Sequence, residues 1–127
     1  LMTSFSDGLA LEPAALFACQ VARASDDGFV TCHGGGYVAS GQSGLDKQPR
    51  PFLPPGLELT SIEHAGEVQT PLRLRGCPVD LRPGDPVFFR HAKAGELAER
   101  FTQVHLVRGD RVVESVPTYR GLGACFF

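Results

Sequence analysis

Gln103–Val104–His105–Leu106–Val107–Arg108, then Gly109–Asp110, then Arg111–Val112–Val113–Glu114–Ser115–Val116 sets the class of structure to expect. Two runs rich in β-branched residues flank a two-residue connection that begins with glycine. Glycine at the first central position suits a type II′ turn, whose backbone twist matches that of paired antiparallel strands. In this register His105, between Val104 and Leu106, faces solvent.

The same texture continues outward from this hairpin. The chain has 127 residues, with 15 glycines and 10 prolines spread as punctuation between short runs of Val, Leu, Phe and Thr. That pattern predicts short strands joined by turns. A strand is expected over Ala15–Ala22 and another over Gly28–His33, with Asp26–Asp27–Gly28 as the turn. Leu57–Leu72 reads as one or two strands, and Val87–Phe88–Phe89–Arg90 as a further one. Before that strand lies Arg82–Pro83–Gly84–Asp85, with proline and glycine in the order a tight turn favours. Gly34–Gly56 holds six glycines and four prolines and reads as a long irregular connection. Only Ala92–Phe101 has helical composition, weakened by Gly95. The expectation is an all-β protein, mainly antiparallel. It closes as a partly open β-barrel or two-sheet sandwich, with at most one short helix.

Charge and composition narrow the function classes. A formal net charge of −2 gives no broad attraction to nucleic acid or to an anionic membrane. No apolar run approaches the roughly 20 residues needed to span a bilayer. No basic region followed by an apolar stretch opens the chain, so a cytoplasmic setting is expected. Cys19, Cys32, Cys77 and Cys125 form no CxxC pair, and their spacing fits no zinc knuckle. Cys19, Cys32 and Cys125 sit beside apolar neighbours and read as small buried hydrophobes. Leu1 precedes Met2, so the chain is read as a piece of something longer.

No self-sufficient catalytic set stands out. His33, His64, His91 and His105 are scattered, and from spacing alone they define no metal site. Gly34–Gly35–Gly36–Tyr37 permits close approach to backbone, but it lacks GxGxxG spacing and a following GK[ST]. The only lysines are Lys47, in a proline-rich loop, and Lys93, in the turn after His91. Neither has the strand context expected of a lysine that holds pyridoxal phosphate as a Schiff base.

Five segments resemble, in order, the carboxy-terminal part of the D-serine dehydratase and D-threonine aldolase family, in particular its bacterial amino acid deaminase/aldolase branch. They are Gly34–Gly35–Gly36–Tyr37–Val38–Ala39–Ser40, Glu63–His64–Ala65–Gly66–Glu67–Val68–Gln69, Arg82–Pro83–Gly84–Asp85, Phe89–Arg90–His91–Ala92–Lys93–Ala94–Gly95–Glu96, and Val116–Pro117–Thr118–Tyr119–Arg120–Gly121. The family is similar in plan to alanine racemase. A barrel domain carries the cofactor lysine, and a β-domain closes the site, generally across a dimer interface.

The resemblance implies that residues 1–127 are a single carboxy-terminal β-domain of a larger enzyme, and that the pyridoxal phosphate barrel lies outside this chain. It implies a small amino acid substrate, partnership with that barrel and a homodimeric parent. Aldol cleavage, dehydration and racemisation are all left open. Lys93, His91, His64 and Glu63 are the implied catalytic positions. Gly34, Gly35, Gly36, Tyr37, Tyr119 and Arg120 are implied to lie near substrate or cofactor. The family's metal pair is His-x-Cys or His-x-Asp where this chain has His91–Ala92–Lys93. His91 matches, but a protonated lysine is a donor only, so no zinc is expected in the family manner. Glu96 is a remoter substitute ligand. Gly34 and Val38 stand where relatives often have Asp and Lys. The alternative reading is a small β-barrel binding or interaction module without catalysis.

Overall fold

β1 (Phe17–Ser25) alternates buried Phe17, Cys19 and Val21 with exposed Ala18 and Gln20, the period of a strand with one face in a core. In this computed structural model, which describes residues 12–42, 44–93 and 95–124, β1 organises a first compact unit that ends at Lys93. Its first half pairs with β6 (Pro86–Arg90) and its second half with β2 (Phe29–His33). The switch falls at a bulge between Val21 and Arg23. An extra residue there bends the strand and increases its twist, which helps a sheet to coil.

β2 pairs in turn with β5 (Gln69–Leu74), and β5 with β4 (Leu57–Leu59). On the other side β6 pairs with β3 (Arg50–Leu53). The order is β3-β6-β1-β2-β5-β4, antiparallel throughout. The two edge strands, β3 and β4, lie close to each other, so the six-stranded sheet is nearly closed. The mainly antiparallel, barrel-like fold read from the sequence is therefore the fold of this unit. Buried Phe17, Val21, Val30, Leu72, Val87 and Phe89 fill its interior. Phe17 and Phe89 stand opposite in register and stack with centroids 5.2 Å apart.

Strand β3 is the element that sequence reading missed. It lies inside the stretch expected to be irregular, between Pro49 and Pro54 and with Pro51 within it. Proline suppresses a strand signal because it cannot donate to a ladder. An edge strand tolerates it, since one side needs no partner. The same stretch also holds a 3-10 turn over Leu45–Lys47.

The second unit, described over residues 95–124, contains α1 (Glu96–Arg100), β7 (Gln103–Arg108) and β8 (Arg111–Pro117). The one short helix allowed within Ala92–Phe101 covers five residues. Gly95 takes φ +92°, a left-handed conformation that cannot continue a helix backward. β7 and β8 form the expected two-residue hairpin, with Arg108 opposite Arg111. Gly109 has φ +64° while Asp110 does not enter positive φ, which is the type II′ pattern. His105 is exposed, as expected, and its Nδ1 lies 2.7 Å from Ser115 Oγ. Cys125 and Leu1–Met2 lie outside the described residues.

Candidate functional site at the glycine-rich loop

The loop leaving β2 is held by backbone before any side chain acts. Gly34 N–H donates to Val68 O at 2.8 Å. The fully buried Thr70 hydroxyl donates to Gly34 O at 2.5 Å and accepts from Gly66 N–H at 3.3 Å. One threonine thus ties the Gly34 segment to the Gly66 segment. Gly36 sits so close that a side-chain carbon on it would fall 2.6 Å from Gly66 C and 2.7 Å from Glu67 N. Those are backbone atoms that cannot swing aside, so the approach requires glycine.

Beyond Gly36 the loop turns tightly, with Tyr37 N–H donating to Gly35 O and Val38 N–H to Gly36 O. Tyr37 packs edge-on against Phe17, centroids 4.8 Å apart. Because Phe17 also stacks on Phe89, Tyr37 is anchored through one ring to the strand that leads into His91. Ala39 N–H then donates to Lys47 O, and Lys93 Nζ donates to Ser40 O at 2.6 Å. Ser40 Oγ is a longer contact of Lys93, at 3.4 Å.

The Glu63–His64 segment lies in the turn between β4 and β5. His64 N–H closes that turn on Thr60 O, and His64 has φ +53°. A non-glycine residue in the left-handed region costs about 1–3 kcal/mol and persists only where the surroundings over-determine it. Glu63 Oε1 accepts from Gln69 Nε2 at 2.8 Å, and Ala65 N–H donates to Gln48 Oε1 at 3.3 Å. His64 is half-buried, Glu63 is exposed, and His91 and Lys93 are half-buried.

The structure brings together three sequence-distant pieces: Gly34–Tyr37 lies on the segment that follows His64, and Lys93 holds the far end of the same loop. Tyr119 and Arg120 belong to the second unit, where they bind α1. Tyr119 OH donates to Gly95 O at 2.9 Å, and Arg120 pairs with Glu99 Oε1 at 2.6 Å. Thr70, Gln48 and Ser40 were not singled out by sequence reading, because a strand threonine or loop serine carries no pattern of its own.

Neither lysine fits the role of a Schiff-base anchor for pyridoxal phosphate. Lys47 is ion-paired with Asp46 at 2.6 Å, and Lys93 donates to a carbonyl, so both are engaged as ammonium donors. The pair also holds the Asp46 carboxyl below its usual range through the Lys47 hydrogen bond. Lys93 serves as a donor where a metal ligand would have to supply a lone pair. Among the described residues, no three His, Cys, Asp or Glu side chains are grouped to hold a metal ion. Cys19 and Cys32 are buried, as expected. Burial pushes the Cys19 thiol up to about 11. The Cys32 thiol is pushed up to about 12 by burial and then by the neighbouring Cys19. Both remain protonated and unreactive at neutral pH.

No protein-family model, curated protein or solved structure matches this chain. No helix among the described residues is long and apolar enough to cross a membrane.

Proposed function

We propose that this chain is the carboxy-terminal β-domain of a pyridoxal-phosphate-dependent amino acid aldolase, dehydratase or racemase, and that it completes the substrate side of the active site. The observation that supports this reading is the convergence at the glycine-rich loop. Gly34–Tyr37, the Glu63–His64 turn and Lys93 lie in segments that resemble the family's, although Gly34 and Lys93 themselves depart from its pattern, and Thr70 and Ser40 tie these segments together. The cofactor, when bound in the parent enzyme, supplies an electron sink for the substrate's α-carbon. This chain offers no anchor for it, so the anchor is assigned to the barrel domain.

In this reading the chain's own residues act on the substrate side. The half-buried His64 and His91 supply imidazoles for binding or for moving a proton. Lys93 fixes the loop through Ser40 and contributes positive charge near the substrate's carboxylate or hydroxyl. A homodimeric parent follows from the same resemblance.

Extending the reading frame upstream of Leu1 tests this directly. A barrel-sized segment with a cofactor lysine is expected, and its product should act on small, β-hydroxylated amino acids. In that full enzyme, His64→Gln should lower kcat by at least about a hundredfold, the lower end of the range for a lost proton-transfer group, without altering the cofactor's absorbance. The isolated chain mixed with pyridoxal phosphate should show no aldimine band after dialysis. A stable band lost in Lys47→Ala or Lys93→Ala would overturn the assignment, as would an upstream frame with no barrel.

A further inference from the structure

The two lysines of this chain, 46 positions apart, converge on one turn. A side-chain carbon placed on Gly41 would lie 3.8 Å from Lys47 Cε and 3.8 Å from Lys93 Nζ. The backbone reinforces the convergence, because Ala39 N–H is bonded to Lys47 O and Ser40 O to Lys93 Nζ. A second pair of cations lies at the same end of the sheet. Arg50 opens β3 and Arg90 closes β6, and the two stand directly opposite each other in the antiparallel register. Lys47 precedes Arg50 by three positions, and Lys93 follows Arg90 by three.

Like charges directly opposite on paired strands destabilise a sheet. Of the other arginines, Arg75 is met by Glu58, Arg82 by Asp80 and Arg100 by Glu96, while Arg23, Arg73 and Arg108, like Arg50 and Arg90, have no ion pair among the described residues. Among the described residues Arg50, Arg90 and Lys93 have no such acidic partner. The one carboxylate in the cluster is Asp46, on Lys47, and it is largely exposed while the Lys47 side chain is mostly buried. Lys47, Arg50, Arg90 and Lys93 therefore lie on adjoining segments, and among the described residues the ion pair that involves any of them is Lys47–Asp46.

We propose that this end of the barrel is a binding site for a phosphate group. Lys47 and Lys93 would hold the group at the Ser40–Gly41 turn, and Arg50 and Arg90 would supply the second pair of charges. Glycine at position 41 leaves the turn open to close approach by an oxyanion. Lysine binds phosphate as a point charge and arginine as a bidentate fork, so the two pairs supply both modes. A dianion is favoured over a singly charged carboxylate because it balances more of the cluster. Asp46 competes for Lys47 and must swing toward solvent as the ligand enters. This inference requires no barrel domain and no cofactor.

The test uses the chain itself, labelled for amide NMR and titrated separately with inorganic phosphate, phenyl phosphate and acetate. Saturable shifts are expected at Ser40, Gly41 and Lys93 with phosphate, at least about tenfold weaker with acetate, given the second charge. Binding should fall at least about tenfold in Lys93→Met and in Lys47→Met, the loss of one charge-assisted hydrogen bond. It should weaken in Arg90→Gln and tighten in Asp46→Asn. Arg82→Gln, at a distant turn, should change nothing. Tighter binding of phenyl phosphate than of inorganic phosphate would assign the site to a phosphate monoester, and the reverse to the free ion. No saturable shift, acetate binding as tight as phosphate, or phosphate binding in Lys47→Met and Lys93→Met unchanged from the wild-type chain would overturn the proposal. Retained amide dispersion in each variant shows that it is folded.

Discussion

The β1–β6 pair and the β7–β8 hairpin are written in nearly the same sequence language, and they end in opposite environments. In the first, Phe17, Cys19, Val21, Val87 and Phe89 are buried, and the residues between them are not. In the second, Val104, Leu106, Val107, Val112 and Val113 are all exposed, between 37% and 63%. The hairpin's local signals are the clearer of the two, with a glycine-first turn and valine-rich runs on either side of it. Local signals nevertheless set only strand and turn. Burial depends on a second layer, and a lone two-stranded hairpin is marginally stable without one. The barrel supplies its own layer by curling, through the β1 bulge and the approach of β3 to β4.

Core truncation gives the widest separation between these regions. Phe89→Ala should cost about 3–5 kcal/mol, the range for removing a buried aromatic ring. Val113→Ala, at 54% exposure, should stay within about 0.5 kcal/mol. Urea unfolding followed by circular dichroism reads both. A loss for Val113→Ala comparable to that for Phe89→Ala would show that the hairpin is covered in solution and would erase the contrast.

Alkaline pH sharpens the contrast next, because the raised thiols belong to the barrel. In the unfolded chain a cysteine ionises near 9.0, whereas in the fold Cys19 and Cys32 wait until about 11 and about 12. The folded state therefore holds its protons more tightly. The stability this confers is full below pH 9 and is lost as pH rises toward those values. Unfolding free energy should drop by about 2 kcal/mol between pH 8 and pH 10. The drop should flatten in the Cys19→Ala, Cys32→Ala double variant, measured against its own value at pH 8. An unchanged pH slope in that variant would remove the thiols as the cause.

Glycine substitution separates two reasons for the same residue. Gly36→Ala should cost about 2 kcal/mol, since its new carbon meets backbone that must move. Gly109→Ala meets nothing within 4 Å and carries only the strain of φ +64°, about 1 kcal/mol. Amide exchange should also rise at Gly34 and Gly66 in the first variant and stay local to the hairpin in the second. Equal costs and equally local exchange would mean that the backbone contact at Gly36 is easily relaxed.

The smallest effect is expected at Lys93. Lys93→Met removes a partly exposed donor to Ser40 and should cost no more than about 1 kcal/mol. Amide exchange at Ala39–Gly41 should quicken while the hairpin is unaffected. Unchanged exchange there would show that the lysine does not hold the loop.

Most of the strands were legible in the sequence because alternation and turn residues act over a few positions. Phe29–His33, Pro86–Arg90 and both arms of the hairpin lie within a residue of where their patterns put them. β3 was not legible, because its prolines obey the rules of an edge, and no local pattern says which strand will be at an edge. The short helix was half legible, since Gly95 announced a weakness but not that it would take a left-handed conformation.

The candidate site divides along the same line. Sequence by itself determined that Gly34–Tyr37, Glu63–His64 and His91–Lys93 were segments to watch. It also placed Lys47 in a proline-rich loop and Lys93 in a turn, neither of them in a strand. Only the tertiary structure decided that Thr70 joins the first two segments, that Lys93 reaches Ser40, and that Lys47 arrives at the same turn. Lys47 looked unremarkable because its loop has no regular pattern, and its position follows from the β3–β6 register and the Ala39–Lys47 bond. Turns and alternation are properties of neighbours in the chain. Charge convergence is a property of strand order, and strand order is settled by which apolar faces close on one another.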